Sequence, residues 1–349
     1  MDRTDINLLS VCNDKNINNA AIARADAEEI LAGYHFRLLP NYLAGNGNPK
    51  RDLWHLVKRF FAGLRMYHVF SSLPSGCMVI QYPFVPSGFR KLYMPELQRQ
   101  RIIYLLHDVD SLRNYSRISA EQDIAWLNMA AVLIVHNRKM REKLLEMGVT
   151  KPRFVELEIF DYLVAGEIQP KEFQRRVSFA GNLGKSAFLP LWLRAARNYA
   201  IDLYGMNWQA SQKYDAQVEY HGSFPAKELP NALQGGFGLV WDGDSIETES
   251  GVMGEYNRYN NPHKFSLYLA AGLPVIVWKE AAIAEIVEKY KIGLCVNGLE
   301  EINAYMDDIT EEKYKELCSN IRPLQLKVRQ GYFLKTAMDK ALEMEEMDK

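Results

Sequence analysis

Lys264 carries the most specific chemistry in this chain. It follows Asn260, Asn261, Pro262 and His263 and opens the apolar run Phe265 to Ala271, which Gly272 ends and the strand-like Pro274 to Trp278 follows. A lysine at a helix start is repelled by the positive end of the dipole unless an anion sits there. With free N–H groups and the Ser266 hydroxyl close by, that arrangement suits a diphosphate. Ser266 is read first as a cap of the helix, and an ordinary capped αβ unit has the same pattern. A second cluster, Gly181-Asn182-Leu183-Gly184-Lys185-Ser186, follows another strand-like run. Its glycines allow close backbone approach, and Lys185 and Ser186 could reach a phosphate or a sugar hydroxyl. It is not a P-loop, whose spacing would require glycine where Phe179 stands.

Two Asp-x-Asp pairs also fall at strand ends, in His107-Asp108-Val109-Asp110 and Trp241-Asp242-Gly243-Asp244. Either could chelate a divalent cation on a nucleotide diphosphate or form a turn closed by an Asx hydrogen bond. The second pair is read as a turn with contacts to ligand hydroxyls. In the first, a carboxylate could take the proton of an attacking hydroxyl. Asp108 is the first choice, with His107, Asp110 and Asp14 as alternatives. The polar segment Glu247 to Asn261, with Gly251, Gly254, Tyr256 and Tyr259, is long enough to be a lid on glycine hinges. His35, His55, His68, His136 and His221 show no metal-ligand spacing and are read as surface or packing residues.

These residues need a scaffold of alternating strands and helices. Strand-like runs at Ile6–Val11, Cys77–Gln81, Arg101–Leu106 and Ala130–Val135 alternate with helical patterns at Ala20–Ala32 and Arg138–Met147. A second series begins after Ala165-Gly166-Glu167-Ile168-Gln169-Pro170, with strands at Arg176–Ala180, Ile201–Tyr204 (stopped by Gly205), Val218–Tyr220, Gly238–Trp241, Pro274–Trp278 and Gly293–Val296. Helical patterns fall at Ile283–Lys289, Leu299–Asp307 and across the tail Glu311–Met347. Alternation of this kind indicates α/β architecture with parallel sheets. Two such domains in succession would place a cleft between them, with ligands at the carboxyl ends of strands.

Composition narrows the classes. The 349 residues suit two domains, 48% hydrophobic content supports two cores, and 11% aromatics argues against disorder. A net charge of −1 gives no support for a nucleic-acid partner. Cys12, Cys77, Cys295 and Cys318 form no CxxC pair, so reduced thiols in a cytosolic protein are expected. The N-terminus lacks the basic and apolar regions of a signal peptide, and no apolar run reaches membrane-span length. Residues 49–70 place Lys50, Arg51, Lys58, Arg59 and Arg65 among Trp54, Leu56, Val57, Phe60, Phe61 and Leu64. Such a helix either lies on an anionic membrane or packs its apolar side on the core. The expectation is a cytoplasmic protein, at most peripheral on the inner face of the plasma membrane, with a homo-oligomer left open.

The second half resembles the donor-binding domain of bacterial GT-B sugar transferases, and more narrowly the β-1,6-galactofuranosyltransferase family. The glucosyltransferases that extend GlcNAc on serine-rich adhesins are a more distant match. Phe237 to Ser245, Tyr259 to Lys264, Ser266 to Leu269 and Pro274 to Trp278 carry the resemblance. Ala180–Leu183, Tyr220–Phe224, Ile159–Leu163 and Leu106–Arg113 support it. It is specific from about 155 to 300 and loose over 1 to 100. It implies a GT-B fold of two Rossmann-like parallel-sheet domains facing a central cleft, with an acceptor-side domain over 1–165 and a nucleotide-sugar domain over 166–326. The segment 327–349 would return to the first domain as a helix. It further implies a UDP-sugar donor, Lys264 on the diphosphate with Asn182 and Lys185 nearby, and Asn261, Ser266, Asp242 and Tyr256 around the diphosphate and sugar. Ser223, Phe224 and Tyr204 would lie at the base. Transfer to a glycan, lipid-linked or glycoprotein acceptor would proceed with inversion, metal-independent and without a cofactor. The sugar is galactofuranose, or glucose if the second branch applies. A metal-dependent transferase and a non-catalytic nucleotide-sugar-binding subunit of a polysaccharide assembly complex are the competing readings.

Overall fold

The computed structural model describes residues 5–10, 22–43, 53–84, 87–113, 119–209 and 216–347. Asp14, Cys12, Lys50, Arg51 and the side chain of His55, all singled out above, lie outside the described residues. The chain forms two compact units, 1–157 with 334–349, and 158–333.

The first unit runs β1 (Asn7–Leu9), α1 (Ile22–Ala32), β2 (Arg37–Leu39), α2 (Leu53–Ser71), β3 (Cys77–Tyr82), α3 (Ser87–Leu97), β4 (Arg101–Leu106), α4 (Ala120–Leu127), β5 (Ala130–Val135), α5 (Arg138–Glu146) and β6 (Arg153–Glu156). Its parallel sheet has the order β2-β1-β3-β4-β5-β6. All of β3 and all but the first residue of β4 are buried, as strands covered on both faces must be. That is why their apolar runs are continuous rather than alternating.

The second unit runs β7 (Arg176–Asn182), α6 (Leu189–Trp192), β8 (Ala200–Met206), β9 (Val218–Gly222), α7 (Leu229–Ala232), β10 (Phe237–Val240), α8 (Gly251–Tyr256), α9 (His263–Ala271), β11 (Val275–Trp278), α10 (Ala284–Tyr290), β12 (Gly293–Val296), α11 (Glu301–Asp308) and α12 (Glu311–Arg329). Its sheet, β12-β11-β10-β7-β8-β9, is parallel throughout. The chain leaves β7 in one direction to build β8 and β9, then returns to build β10 to β12 on the other side. The switch point therefore lies between β7 and β10, where such sheets bind ligands.

A last helix, α13 (Tyr332–Glu346), brings residues 334–349 into the first unit. There the Tyr34 hydroxyl donates to Asp339 Oδ1 at 2.8 Å, and Arg101 pairs with the buried Glu345 carboxylate at 2.7 Å. An uncompensated carboxylate at that depth would be costly, so the ion pair specifies where the helix docks.

The sequence reading misplaced Gly205. The strand does not stop there but runs to Met206, with Gly205 paired to Gly181 across β7 and β8. Gly205 has φ +138, and a Cβ there would come within 1.8 Å of the Gly181 carbonyl oxygen. Both constraints demand glycine inside the strand. Gly205→Ala is expected to lower unfolding free energy by about 2 kcal/mol or more, read from the urea midpoint. An unchanged midpoint would show that the two strands separate here at little cost.

Candidate active site

Two strand ends, those of β7 and β10, meet at Lys264. Its helix, α9, is held down on the sheet because Gly238 leaves room for the Tyr268 ring, which a Cβ at 238 would meet at 2.3 Å. The Tyr268 hydroxyl accepts from the Ala180 amide at 2.9 Å and donates to the Ser178 carbonyl at 3.2 Å, pinning α9 to β7. At the other end, Gly272 in the left-handed region closes the helix, as a C-terminal glycine does.

Pro262 is the N-cap and supplies no side-chain acceptor to the first-turn amides. Ser266 is therefore not the cap; it lies within the helix, 1% exposed. Asn261 also turns inward, its Nδ2 donating to the Glu158 carbonyl at 2.8 Å. His263 stacks on Tyr162 with centroids 5.0 Å apart, and its Nε2–H donates to the Asp161 carbonyl at 3.3 Å. Burial lowers its pKa to about 4, against the pull of that carbonyl. It is neutral at physiological pH, and Lys264 carries the formal charge at this helix start. The Lys264 ammonium donates to the Trp241 carbonyl at 3.2 Å, stands 3.6 Å from Asp242 Oδ2, and lies 4.8 Å from the Phe179 ring centroid. Its Cε would sit 3.3 Å from a Cβ at position 181. The lysine thus crosses the switch point, resting on β7 and reaching the end of β10. Both members of the ion pair keep exposure, 22% for Lys264 and 32% for Asp242, so a ligand could displace the carboxylate.

The loop after β7 packs against the loop after β10 through the Phe188 amide, which donates to the Gly243 carbonyl at 3.2 Å. Asn182 Oδ1 accepts from Asn207 at 3.0 Å, and Lys185 is exposed. Asp242 accepts from the Gly243 amide at 3.1 Å, and Asp244 from Ser250; the pair lies in a bend held by these side chains. Ser223 is exposed and Phe224 half-buried just past β9. Tyr204 and Tyr256 are each 1% exposed, so neither ring presents a surface at the strand ends. Tyr204 instead stacks on His221 at 4.7 Å, and its hydroxyl accepts from the Gln234 amide at 3.1 Å.

The segment Glu247–Asn261 is not a free lid. It contains α8 and is tied at both ends: Asn257 accepts from the Ala282 amide at 2.8 Å, and the Leu299 amide donates to the Ile246 carbonyl at 2.7 Å. Gly254 serves packing rather than hinging, since a Cβ there would meet the Glu249 backbone at 2.6 Å. Glu249 itself was missed. Its carboxylate, 1% exposed, accepts from the Asp242 amide at 2.9 Å and from Asn257 Nδ2 at 2.8 Å. Nothing about a glutamate in a polar run marks it for burial beside a strand end.

In the first unit, His107 and Asp110 are buried, while Asp108 keeps 32% of its side chain exposed and pairs with Arg113. His107 Nε2–H donates to Gln81 Oε1 at 2.7 Å, and Gln81 Nε2 donates to the Arg24 carbonyl at 3.1 Å. These bonds orient the imidazole. Burial raises the Asp108 pKa, opposed by Arg113 and Arg24 and reinforced by Asp110. Burial lowers that of the Arg24 guanidinium, which Asp108 and Asp110 counteract. Asp123, fully buried, accepts from the Tyr82 hydroxyl at 2.5 Å and the Ser111 amide at 2.7 Å, fixing the turn that follows Asp108. Arg24, Gln81 and Asp123 come from α1, β3 and α4, so no local motif could announce them.

Among the described residues one trio brings metal-ligand atoms together, Asp202, Glu219 and His221. The Arg176 guanidinium already donates to Asp202 and, at 2.9 Å, to Glu219, while His221 Nε2 donates to Asp202 at 2.7 Å. That is a satisfied ion-pair network, and His221 is a member of it rather than an isolated packing residue. A cavity of about 770 Å³ lies by Gly272 and Arg322, at the opposite end of α9 from Lys264. It is separate from the strand ends.

The fold is shared with sucrose-phosphate synthase from Thermosynechococcus elongatus, at a TM-score of 0.63 and 14% identity over 99% of each chain. The architecture is that of a GT-B glycosyltransferase. The chain belongs to the glucosyltransferase 3-like family, matching its N-terminal domain over 6–159 and its C-terminal domain over 177–341. It is 30% identical over 328 residues to beta-1,6-galactofuranosyltransferase WbbI of Escherichia coli (strain K12), covering 92% of this chain and 93% of that one. It is 28% identical over 282 residues to Glucosyltransferase 3 of Streptococcus gordonii, covering 78% and 81%.

Burial raises the Glu249 pKa to about 8, against the opposing hydrogen bonds from Asn257 and Asp242. A folded-state pKa above the unfolded one contributes stability at low pH that is lost as pH rises toward it. Unfolding free energy should therefore fall between pH 4.5 and about pH 8, the window spanned by that shift, more in the wild type than in Glu249→Gln. Parallel urea-derived curves for the two would contradict a protonated Glu249.

Proposed function

We propose that this glycosyltransferase moves a hexosyl group, galactofuranosyl in the first instance, from a UDP-sugar to a glycan hydroxyl with inversion and without a metal. The observation that carries this is the Lys264 ammonium at the switch point of the second sheet, beside a helix start with no side-chain cap. In the proposed reaction the acceptor oxygen attacks the anomeric carbon as the bond from that carbon to the diphosphate breaks. UDP leaves with the bonding electron pair, its new charge held by Lys264 and the amides of α9. The acceptor proton passes to Asp108, the partly exposed carboxylate of its cluster. Asn182 and Lys185 flank the diphosphate, and Ser223 and Phe224 lie toward the base.

The similarity to a galactofuranosyltransferase across nearly the whole chain favours that sugar. A specific observation favours glucose as the second reading: both domain matches, and a relative at 28% identity, bear the glucosyltransferase 3 description. The acceptor is a glycan, free, lipid-linked or on a glycoprotein. Cys77, Cys295 and Cys318 are present as thiols rather than disulfides, which suits a reducing compartment, and we assign the reaction to the cytoplasm.

Lys264→Ala should weaken UDP binding about tenfold or more, as loss of a charge-assisted contact does. It should also cut turnover by about a hundredfold or more while leaving cooperative melting intact; wild-type UDP affinity in calorimetry would refute the assignment. Asp108→Asn should abolish transfer and keep UDP binding, whereas normal turnover would exclude Asp108 as the base. Activity should survive exhaustive EDTA treatment. Loss restored by Mg²⁺ or Mn²⁺ would establish the metal-dependent alternative.

A further inference from the structure

Helix α2 presents a face that the first unit leaves uncovered. Gly63, Met66 and Phe70 anchor it: Met66 and Phe70 are buried, and the Tyr93 hydroxyl of α3 donates to the Gly63 carbonyl at 2.9 Å. On the opposite side Trp54, Leu56, Phe60, Phe61 and Leu64 are 66%, 54%, 57%, 58% and 44% exposed. At 3.6 residues per turn these five fall on one continuous side of the helix. Isolated surface hydrophobes are ordinary, but five large ones contiguous on a single helix are not.

Within α2 itself the charges have one sign. Lys58 and Arg65 flank its edge, with Lys58 Nζ 5.5 Å from the Trp54 ring and Arg65 Cζ 5.9 Å from the Tyr42 ring. A cavity of about 360 Å³ opens among Tyr42, Trp54, Phe61 and Arg65, apolar in its floor and cationic at its rim. Over Leu53–Ser71 the sequence contains no aspartate or glutamate. Glu96 of α3 is paired with Arg99 at 3.0 Å and accepts from the Tyr67 hydroxyl of α2 at 3.5 Å.

An aromatic face with a cationic margin suits a surface that is apolar beneath and negative above. In an antiparallel two-fold contact with a second copy this edge would meet itself and set cations against cations. No helix among the described residues has the length and apolarity to cross a bilayer. We propose that α2 docks this protein on the surface of a bilayer containing anionic lipid, with Trp54, Phe60 and Phe61 at headgroup depth and Lys58 and Arg65 on lipid phosphates.

Full-length protein is co-sedimented with phosphatidylcholine vesicles, with and without phosphatidylglycerol. Wild type should pellet only with the anionic vesicles and be released by salt. Lys58→Ala/Arg65→Ala should bind about thirtyfold more weakly, which corresponds to losing about 1 kcal/mol at each of two cations. Phe60→Ser/Phe61→Ser should lose binding at an unchanged melting temperature, and both variants should keep wild-type UDP affinity. Failure here therefore leaves the donor-site reading standing. Two results would overturn the proposal: no pelleting of wild type with phosphatidylglycerol vesicles, or equal binding by the charge variant. A scattering mass of two chains, falling to one in Phe60→Ser/Phe61→Ser without vesicle binding, would assign the face to a second copy instead.

Discussion

The second unit is organised around a positive charge placed where a helix dipole disfavours it. A cation at a helix N-terminus costs about 0.3–1 kcal/mol, and a partly exposed ion pair returns about the same. The pairing of Lys264 with Asp242 at 3.6 Å therefore roughly offsets the dipole and leaves the lysine available for exchange. A diphosphate in place of the carboxylate would bring more charge and would accept from the uncapped first-turn amides as well. The surrounding architecture keeps this exchange local. Gly238 admits the Tyr268 ring, Tyr268 fixes α9 to β7, and the Phe188 amide ties the two strand-end loops together.

Glu249 gives that local exchange a rigid floor. By accepting from the Asp242 amide and from Asn257 it holds the β10 loop and the α8 segment in one arrangement. The polar segment above the strand end is therefore a braced wall, and a ligand bound beside it would meet little ordering cost from this segment.

Much of this was legible in the chain because each domain repeats one local grammar. Continuous apolar runs such as Cys77–Tyr82 and Arg101–Leu106 can only be strands covered on both faces, and Gly272 and Pro274 punctuate α9 as their backbone preferences require. Lys264 was legible because its position contradicts the dipole rule. What stayed hidden depended on distant pairing. Gly205 read as a strand stop, since nothing local reveals that Gly181 lies across from it. Tyr204 looked like a ligand aromatic, but its surroundings, His221 of β9 and Phe224, are assembled only by the fold. Glu249, Arg24 and Asp123 are polar residues whose roles arise only when remote elements meet. The short β2 and β6, the helices α3 and α4, and the α8 turn within Glu247–Asn261 were also passed over, being too brief or too weakly patterned to stand out.

Chemically, the first unit supplies a carboxylate whose basicity is set by opposition: burial raises the Asp108 pKa while Arg113 and Arg24 lower it. The second supplies a cation ready to change partners. The latter is the central claim, and a structure determined with UDP bound tests it most directly. The account expects a diphosphate oxygen within hydrogen-bonding distance of Lys264 Nζ and the Asp242 contact broken. UDP bound in the cavity beside Gly272 and Arg322, with Lys264 still on Asp242, would contradict it.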